Sequence, residues 1–199
     1  MLISMSGIDG CGKTMQVQML EDWFKGRCKK VTVVKAYDDM AKVACLPFME
    51  SWTDDTAIMF LFQALHAQQY ALTIAALESG CVVIADRWDE SYLAYHQNFG
   101  ILSARTETRN ILNNLAFRGR VPDIGFIIEV PPAVARHRRA SRGKMERFED
   151  RPDEYYELVQ RSYRDIATQR EWHILDGTKT PQAIHQEIIG QVMTFESRL

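Results

Sequence analysis

The chain has 199 residues, 46% hydrophobic and 25% charged, the proportions of a globular domain long enough to bury a substantial core. A net charge of −2 excludes the basic surplus of a dedicated nucleic-acid binder, and no apolar run approaches the roughly 18 residues needed to span a membrane. The four cysteines, Cys11, Cys28, Cys45 and Cys81, form no C-x-x-C pair and have no clustered histidines beside them, which argues against a disulfide framework or zinc site and for a reducing, cytoplasmic setting.

Residues 2–6 are apolar without polar alternation, as a strand buried on both faces should be. Ser4, Ser6 and Asp9 interrupt the run, and no basic lead precedes it, so it reads as a first strand and not as a signal peptide. Met15, Val17, Met19, Leu20, Trp23 and Phe24 then recur at near-helical spacing, with Gly26 as the stop. Val31–Val34 is a second strand. Residues 37–55, polar and holding Pro47, show no sustained period and read as loop with room for a short helix. A long helical pattern over about 56–78 ends at Gly80, and a third strand over 81–85 leads into Asp86-Arg87. Helices over about 89–97 and 105–117 follow, then a strand over 124–130 and a helix behind Pro131-Pro132, where proline suits the first turn. The last elements are a helix over about 153–169, a short strand at 172–175 and a helix from Pro181. Strand and helix alternate throughout one domain of residues 1–199. The expected fold is α/β, a doubly wound, five-stranded parallel sheet with helices on both faces, whose ligands bind beyond the carboxyl ends of the strands.

Between the first strand and first helix stands Gly7-Ile8-Asp9-Gly10-Cys11-Gly12-Lys13-Thr14, which spells the phosphate-binding P-loop, G-x-x-x-x-G-K-[ST]. Its glycines let backbone N–H groups curl around an anion, and the following helix points its positive end at the same anion. Lys13 can reach the β- and γ-phosphates of a nucleotide, and the Thr14 hydroxyl can join a Mg²⁺ shell. At the end of the third strand Asp86 supplies a carboxylate for the same metal, and Arg87 a planar fork for a second phosphate. Ser91 and Tyr95 lie four apart, so one helical face can carry both toward a ligand; ordinary helix surface fits that spacing equally well.

Residues 136–151 hold a surplus of four positive charges around Gly143. Beside a P-loop this reads as a mobile basic lid that shields and neutralises a transferring phosphoryl group. A solvated charged helix or a nucleic-acid contact is the reading of the same run in isolation. Phe62 and His66, one turn apart on the long helix, fit core packing as readily as a ligand platform.

Together these stretches resemble the thymidylate kinase family, nearly end to end. Gly7–Thr14 resembles its P-loop, with Asp9 at the family's acidic position. Asp86-Arg87 through Ser91 to Ala94-Tyr95 resembles its D-R-[aromatic]-x-x-S-x-x-A-Y segment. Pro122-Asp123, Glu129-Val130-Pro131-Pro132, Arg138, Arg142-Gly143 and Arg147-Phe148-Glu149 resemble the run leading into its lid, and Leu61-Phe62-x-Ala64 its L-F-x-A helix. The resemblance implies a kinase that moves the γ-phosphoryl group of ATP, with Mg²⁺, onto dTMP, and a homodimer with neither nucleic acid nor membrane as partner. It implies that Gly7, Ile8, Asp9, Gly10, Cys11, Gly12, Lys13 and Thr14 cradle ATP. Asp86 and Thr14 would hold the metal. Asp9, Phe62, His66, Arg87, Ser91, Tyr92 and Tyr95 would line the acceptor site, with the Phe62 ring against the base, Tyr95 under the sugar and Arg87 on the phosphate. Catalytic charge would come from Lys13, Arg87, Arg142 and Arg147, because Cys11 stands where one branch of the family has an arginine.

The sequence departs from the family pattern mainly where the base and acceptor phosphate are read. His66 replaces a base-reading arginine, Lys35-Ala36-Tyr37-Asp38-Asp39 lacks the arginine and proline found after the second strand, Tyr92 replaces a smaller polar residue, and Ser6 replaces a glutamate. A different or modified deoxynucleoside monophosphate is therefore the alternative acceptor, and a silent nucleotide-binding module the alternative class.

Overall fold

The computed structural model describes residues 1–141 and 151–198, with Lys42 by its backbone alone. Five strands, β1 (Leu2–Ser6), β2 (Val31–Lys35), β3 (Val82–Asp86), β4 (Ile124–Glu129) and β5 (His173–Asp176), form one sheet in the order β2-β3-β1-β4-β5. Every pairing is parallel. The helices among the described residues are α1 (Lys13–Gly26), α2 (Asp39–Ser51), α3 (Asp55–Glu78), α4 (Asp89–Gln97), α5 (Thr106–Phe117), α6 (Pro132–Ala140), α7 (Asp153–Gln169) and α8 (Pro181–Glu196).

Successive side chains of β1, β2 and β3 point to opposite faces, and the two packed clusters follow that alternation. Ile3, Met5 and Ile84 face Val17, Leu20 and Phe24 of α1, with Ile184, Ile188 and Val192 of α8 in the same cluster. Leu2, Val34, Val83 and Ala85 belong to the other cluster, with Met59 of α3, Tyr92 of α4 and Phe117 of α5. The sheet is thus covered on both sides, as its apolar strands require. α3 packs on β2 and β3, α7 on β4 and β5, and α4 lies between α5 and α7. Arg170, just past α7, grips the Asp89 carboxylate at the start of α4 through two hydrogen bonds of 2.8 and 2.5 Å, fixing the two helices against each other.

One segment departs from expectation. The stretch read as loop is mostly α2, a 13-residue helix that carries Pro47 inside it. Asp38 caps it by accepting the Ala41 N–H at 2.8 Å, and Asp39 sits in the first turn, where the helix dipole favours a carboxylate. Its apolar residues do not form one inward stripe: Met49 is buried, whereas Met40 and Val43 are more than 80% exposed. A helix that turns apolar side chains outward has no amphipathic period to read.

The register brings the chemistry to one edge. Lys35 of β2 pairs with Asp86 of β3, Met5 of β1 also pairs with Asp86, and Ser6 pairs with Ile127 of β4. The glycine loop leaving β1, the Asp86-Arg87 corner and the start of α1 therefore meet at the carboxyl ends of the three central strands.

Candidate active site

The loop Gly7–Gly12 runs hard against the backbone of two neighbours. A Cβ on Gly7 would lie 2.4 Å from the Ile128 carbonyl oxygen, and one on Gly10 would lie 2.4 Å from that of Ala135; Gly10 also holds φ +91°. Only glycine fits there. Ile8 and Cys11 turn their side chains into the core, so they offer an anion their backbone alone. Burial pushes the Cys11 thiol up, with Lys13 and Arg87 working weakly against it, and the thiol stays protonated. Thr14 is exposed in the first turn of α1, beside Lys13.

Two cations from α6 pin this loop from behind. Arg139, 2% exposed, donates to the Asp9 carbonyl at 2.6 Å and lies 4.4 Å over the Tyr156 ring. Arg138 bridges the Cys11 carbonyl at 3.2 Å and the Gly177 carbonyl at 3.1 Å. From sequence both belong to the basic lid segment. In the structure this end of the segment is a clamp on the Asp9 and Cys11 carbonyls, while inside the loop the Cys11 N–H donates to the Ile8 carbonyl at 3.2 Å. The Arg142 and Arg147 expected in the lid, with all of 142–150, lie outside the described residues.

Lys13 and Asp86 face each other across the mouth of the loop, Nζ to Oδ1 at 2.5 Å. Burial acts to raise the Asp86 carboxyl, and Lys13, with Arg87 and Lys35, outweighs it, so the group sits below its ordinary value and is ionised. Lys35 stands 3.7 Å from the other carboxylate oxygen. The run that replaces the family's arginine-proline motif thus still brings a cation to this edge.

Arg87 follows Asp86 with φ +72°, a conformation strained for any side chain. Its backbone is held at both ends, the N–H donating to the Met5 carbonyl at 3.1 Å and the carbonyl accepting Gln69 Nε2 at 2.8 Å. Its guanidinium donates to Asp9 Oδ1 at 2.6 Å and to the Tyr163 hydroxyl at 2.9 Å, and lies 5.5 Å from the centre of the Tyr95 ring. Burial acts to raise Asp9, but Arg87, then Lys13 and Arg139, hold its carboxyl below the ordinary range. Tyr95, its own hydroxyl kept protonated by burial and by Asp9, reaches the other Asp9 oxygen at 3.5 Å. Asp9, Arg87 and Tyr95 are therefore together, as their sequence positions suggest.

The remaining expected acceptor residues divide. Phe62 is half-buried, its ring centre 6.1 Å from that of Tyr37. Ser91 is 5% exposed, and its hydroxyl is shared with Ser6 at 2.9 Å and Tyr163 at 2.8 Å, a link to the interior. Tyr92 is 2% exposed and its hydroxyl donates to the Arg109 carbonyl at 3.3 Å. The His66 ring centre lies 5.1 Å from Phe117 and 6.3 Å from Tyr92. Burial pushes His66 down to about 4, with His96 acting in the same direction and Gln69 against it. The position that carries an arginine in the family is a neutral imidazole here.

The histidines predict how stability depends on pH. His96 is also pushed down to about 4, by burial and then by Arg109. An unfolded chain protonates both near 6.5, so below that pH the unfolded state takes up protons that the folded state refuses. Thermal unfolding midpoints should hold steady above about pH 6.5 and fall as pH drops toward 4, where the histidine contribution ends and loss of the depressed Asp9 and Asp86 carboxylates takes over. The His66→Gln/His96→Gln double variant should lose most of this slope. A midpoint that stays constant from pH 7 to 5 in the parent chain would overturn the assignment.

Sequence reasoning missed Arg139, Gln69, Glu90 and Tyr163. Glu90 is fully buried, its Oε1 accepting the Ser4 hydroxyl at 2.6 Å, the Ser6 hydroxyl and the Trp88 N–H at 3.0 Å. The only available signal was the polarity of Ser4 and Ser6 in a buried strand, which demands a buried partner. Among the described residues no cluster of three or more His, Cys, Asp or Glu side chains could hold a metal alone, and no helix is long and apolar enough to cross a membrane.

A glycine loop at the carboxyl end of the central strand of a parallel sheet, with a lysine opening the next helix opposite a strand-end aspartate, defines a P-loop phosphotransferase. A family model described as thymidylate kinase matches residues 5–188, and the chain belongs to that family. A thymidylate kinase of Fervidobacterium nodosum is 35% identical over 196 residues, spanning 95% of this chain and 96% of the relative. One from Chlorobaculum parvum is 31% identical, over 98% and 97%, and a probable thymidylate kinase of Methanosarcina barkeri is 28% identical, over 99% and 98%.

Proposed function

We propose that the protein transfers the γ-phosphoryl group of ATP to dTMP, giving dTDP and ADP, in the cytoplasm. The observation that carries this reading is the juxtaposition at one sheet edge of the Lys13–Asp86 pair, 2.5 Å apart, with the Arg87–Asp9 pair, 2.6 Å apart. It supplies a donor-phosphate site and an acceptor-phosphate cation on adjacent strands. Lys13 and the N–H groups of Gly7–Thr14 grip the ATP phosphates. Arg87 holds the acceptor phosphate, an oxygen of which attacks the γ-phosphorus while the bond to the β-phosphate oxygen breaks and ADP leaves. The acceptor is already an anion, so no general base is needed, and the protein supplies alignment and positive charge. Arg142 and Arg147 bring the charge that Cys11 does not.

Asp86, ionised, and the Thr14 hydroxyl form an all-oxygen donor set of the kind Mg²⁺ accepts when phosphate completes its shell. When bound, that ion would help neutralise negative charge developing on the donor phosphates. Tyr95 would lie under the sugar beside Asp9, with Phe62 and His66 at the base, while Ser91 and Tyr92 turn their hydroxyls inward. We also propose a homodimer through α3 and α5. Phe60, Leu72, Ile111 and Leu115 are 49–67% exposed, an outward apolar face that a second copy would cover. Sedimentation at micromolar protein should give twice the chain mass, and substituting Phe60 and Leu115 with glutamate should halve it.

Coupled measurement of ADP release with a panel of nucleoside monophosphates tests the reaction. dTMP should rank among the best acceptors. The neutral His66 favours one specific alternative, a modified pyrimidine deoxynucleotide, and such an acceptor outrunning dTMP by tenfold or more would replace it as the substrate. No ADP release with any monophosphate would remove the kinase reading altogether.

A further inference from the structure

We propose that Tyr163 is a positioning residue for Arg87, and that the buried chain Tyr163–Ser91–Ser6–Glu90 holds the guanidinium in its phosphate-binding orientation. The inference rests on the reading of Arg87 as the acceptor-phosphate ligand.

Tyr163 sits on α7, 0% exposed, with its ring in the core and its oxygen 2.9 Å from Arg87 Nη1. A guanidinium only donates, so the phenol oxygen must accept and its hydrogen must point elsewhere. Ser91 Oγ, 2.8 Å away, receives it. Ser91 can then donate to Ser6 Oγ at 2.9 Å, and Ser6 donates to Glu90 Oε1. The chain runs one way, each hydroxyl fixing the rotation of the next, and it ends on a carboxyl that also takes the Ser4 hydroxyl and the Trp88 N–H. Glu90 is pushed above its ordinary value by burial and by Asp89, and its Oε2 is buried without a hydrogen-bond partner among the described residues. Burial pushes the Tyr163 phenol up as well, so it keeps its hydrogen.

The consequence lies in the geometry of Arg87. Asp9 takes one Nη2 hydrogen and Tyr163 one Nη1 hydrogen, so the guanidinium plane is fixed from two sides. Its remaining N–H groups find no other acceptor among the described residues and serve a bound anion. Without Tyr163 the fork can swing about the Asp9 contact, and displacements near 1 Å in a positioning group are costly in phosphoryl transfer. Ser91, placed by sequence on the acceptor, acts here through Tyr163 and Arg87.

The test is a double-mutant cycle with steady-state kinetics, using the acceptor that turns over fastest in the monophosphate panel. Tyr163→Phe keeps the buried ring and removes only the oxygen. It should lower kcat/KM for the acceptor about tenfold, the worth of one hydrogen bond to a charged group, and leave KM for ATP unchanged. In an Arg87→Lys background the same substitution should cost less than about twofold, because a single ammonium cannot serve Asp9 and Tyr163 together. Ser91→Ala, which keeps the Tyr163 oxygen and removes the group that orients its hydrogen, should give a smaller drop in the same direction. Equal losses in both backgrounds, or equal losses for ATP and acceptor, would mean a purely structural Tyr163 and overturn the proposal. Arg87→Ala separates the two readings: if it leaves acceptor KM unchanged, the phosphate role of Arg87 itself fails. If it raises that KM while Tyr163→Phe changes nothing, only the positioning role fails.

Discussion

Lys13→Ala is expected to lower kcat by roughly a hundred- to a thousandfold or more, the scale seen when one preorganised charge is removed from a transition state. The ammonium sits at the mouth of the glycine loop with its side chain only 10% exposed, in a setting where charge is poorly screened. As the γ-phosphoryl group leaves, negative charge grows on the bridging oxygen and on the β-phosphate, and Lys13 is the loop's one cationic side chain. The loop N–H groups remain in the variant, so ATP binding should weaken less than kcat falls. Folding should survive, because the glycines, the Arg138 and Arg139 clamp and the buried Ile8 hold the loop without Lys13. Asp86 loses its strongest neutralising partner and keeps the weaker pull of Arg87 and Lys35, so its carboxyl rises toward the ordinary range. Single-turnover kinetics together with a thermal melt would check this, and a folded variant with near-parental kcat would remove Lys13 from the reaction.

The fold was legible because each strand is a short apolar run and most helices carry a period or a stop signal. Gly80, at φ +80° just past α3, and the Pro131-Pro132 entry to α6 stand where their backbone preferences place them. α2 was not legible, since its cap at Asp38 is local but its apolar side chains point outward and Pro47 argues against a helix. In the site, Lys13, Asp86, Arg87 and Asp9 belong to contiguous motifs whose spacing encodes their chemistry, and the structure brings them together. Arg139 and Tyr163 reach the site from α6 and α7, far along the chain, through contacts that depend on how helices pack on the sheet. In sequence Arg139 looks like one more member of a charge run. Tyr163 looks like one more core aromatic at helical spacing from Tyr156 and Val159, and nothing in that pattern says where its hydroxyl goes.

A charge run suggests one solvated function, yet helix geometry divides the described part of the basic segment. Arg139 turns inward under the loop at 2% exposure, whereas Arg136 is 60% exposed in its side chain and pairs with Asp153 at the start of α7. A P-loop gathers phosphate charge on its N–H side, so its carbonyls point away and need donors there. The arginines on α6 meet that need, a requirement deducible from the loop but not from the run itself.

Arg87→Ala is expected to raise KM for the acceptor about a hundredfold, the loss of two charge-assisted hydrogen bonds to a phosphate, with KM for ATP little changed. The substitution does more than delete a ligand. It strips Asp9 of its nearest cation, and burial then drives that carboxyl upward against the weaker pull of Lys13 and Arg139. In the parent chain the depressed Asp9 contributes stability that is present above its unfolded value near 3.9 and is lost as pH falls through the lower folded value. The variant lacks that contribution. It should therefore melt below the parent at pH 7, and the gap should close as pH falls below about 4. The φ of +72° at position 87 strains alanine as much as arginine, so the backbone does not mask the comparison. Asp9→Asn in the Arg87→Ala background removes the stranded charge and should recover part of the lost stability at pH 7 without recovering acceptor affinity. Recovery of both would make Asp9, and not Arg87, the group that governs acceptor binding.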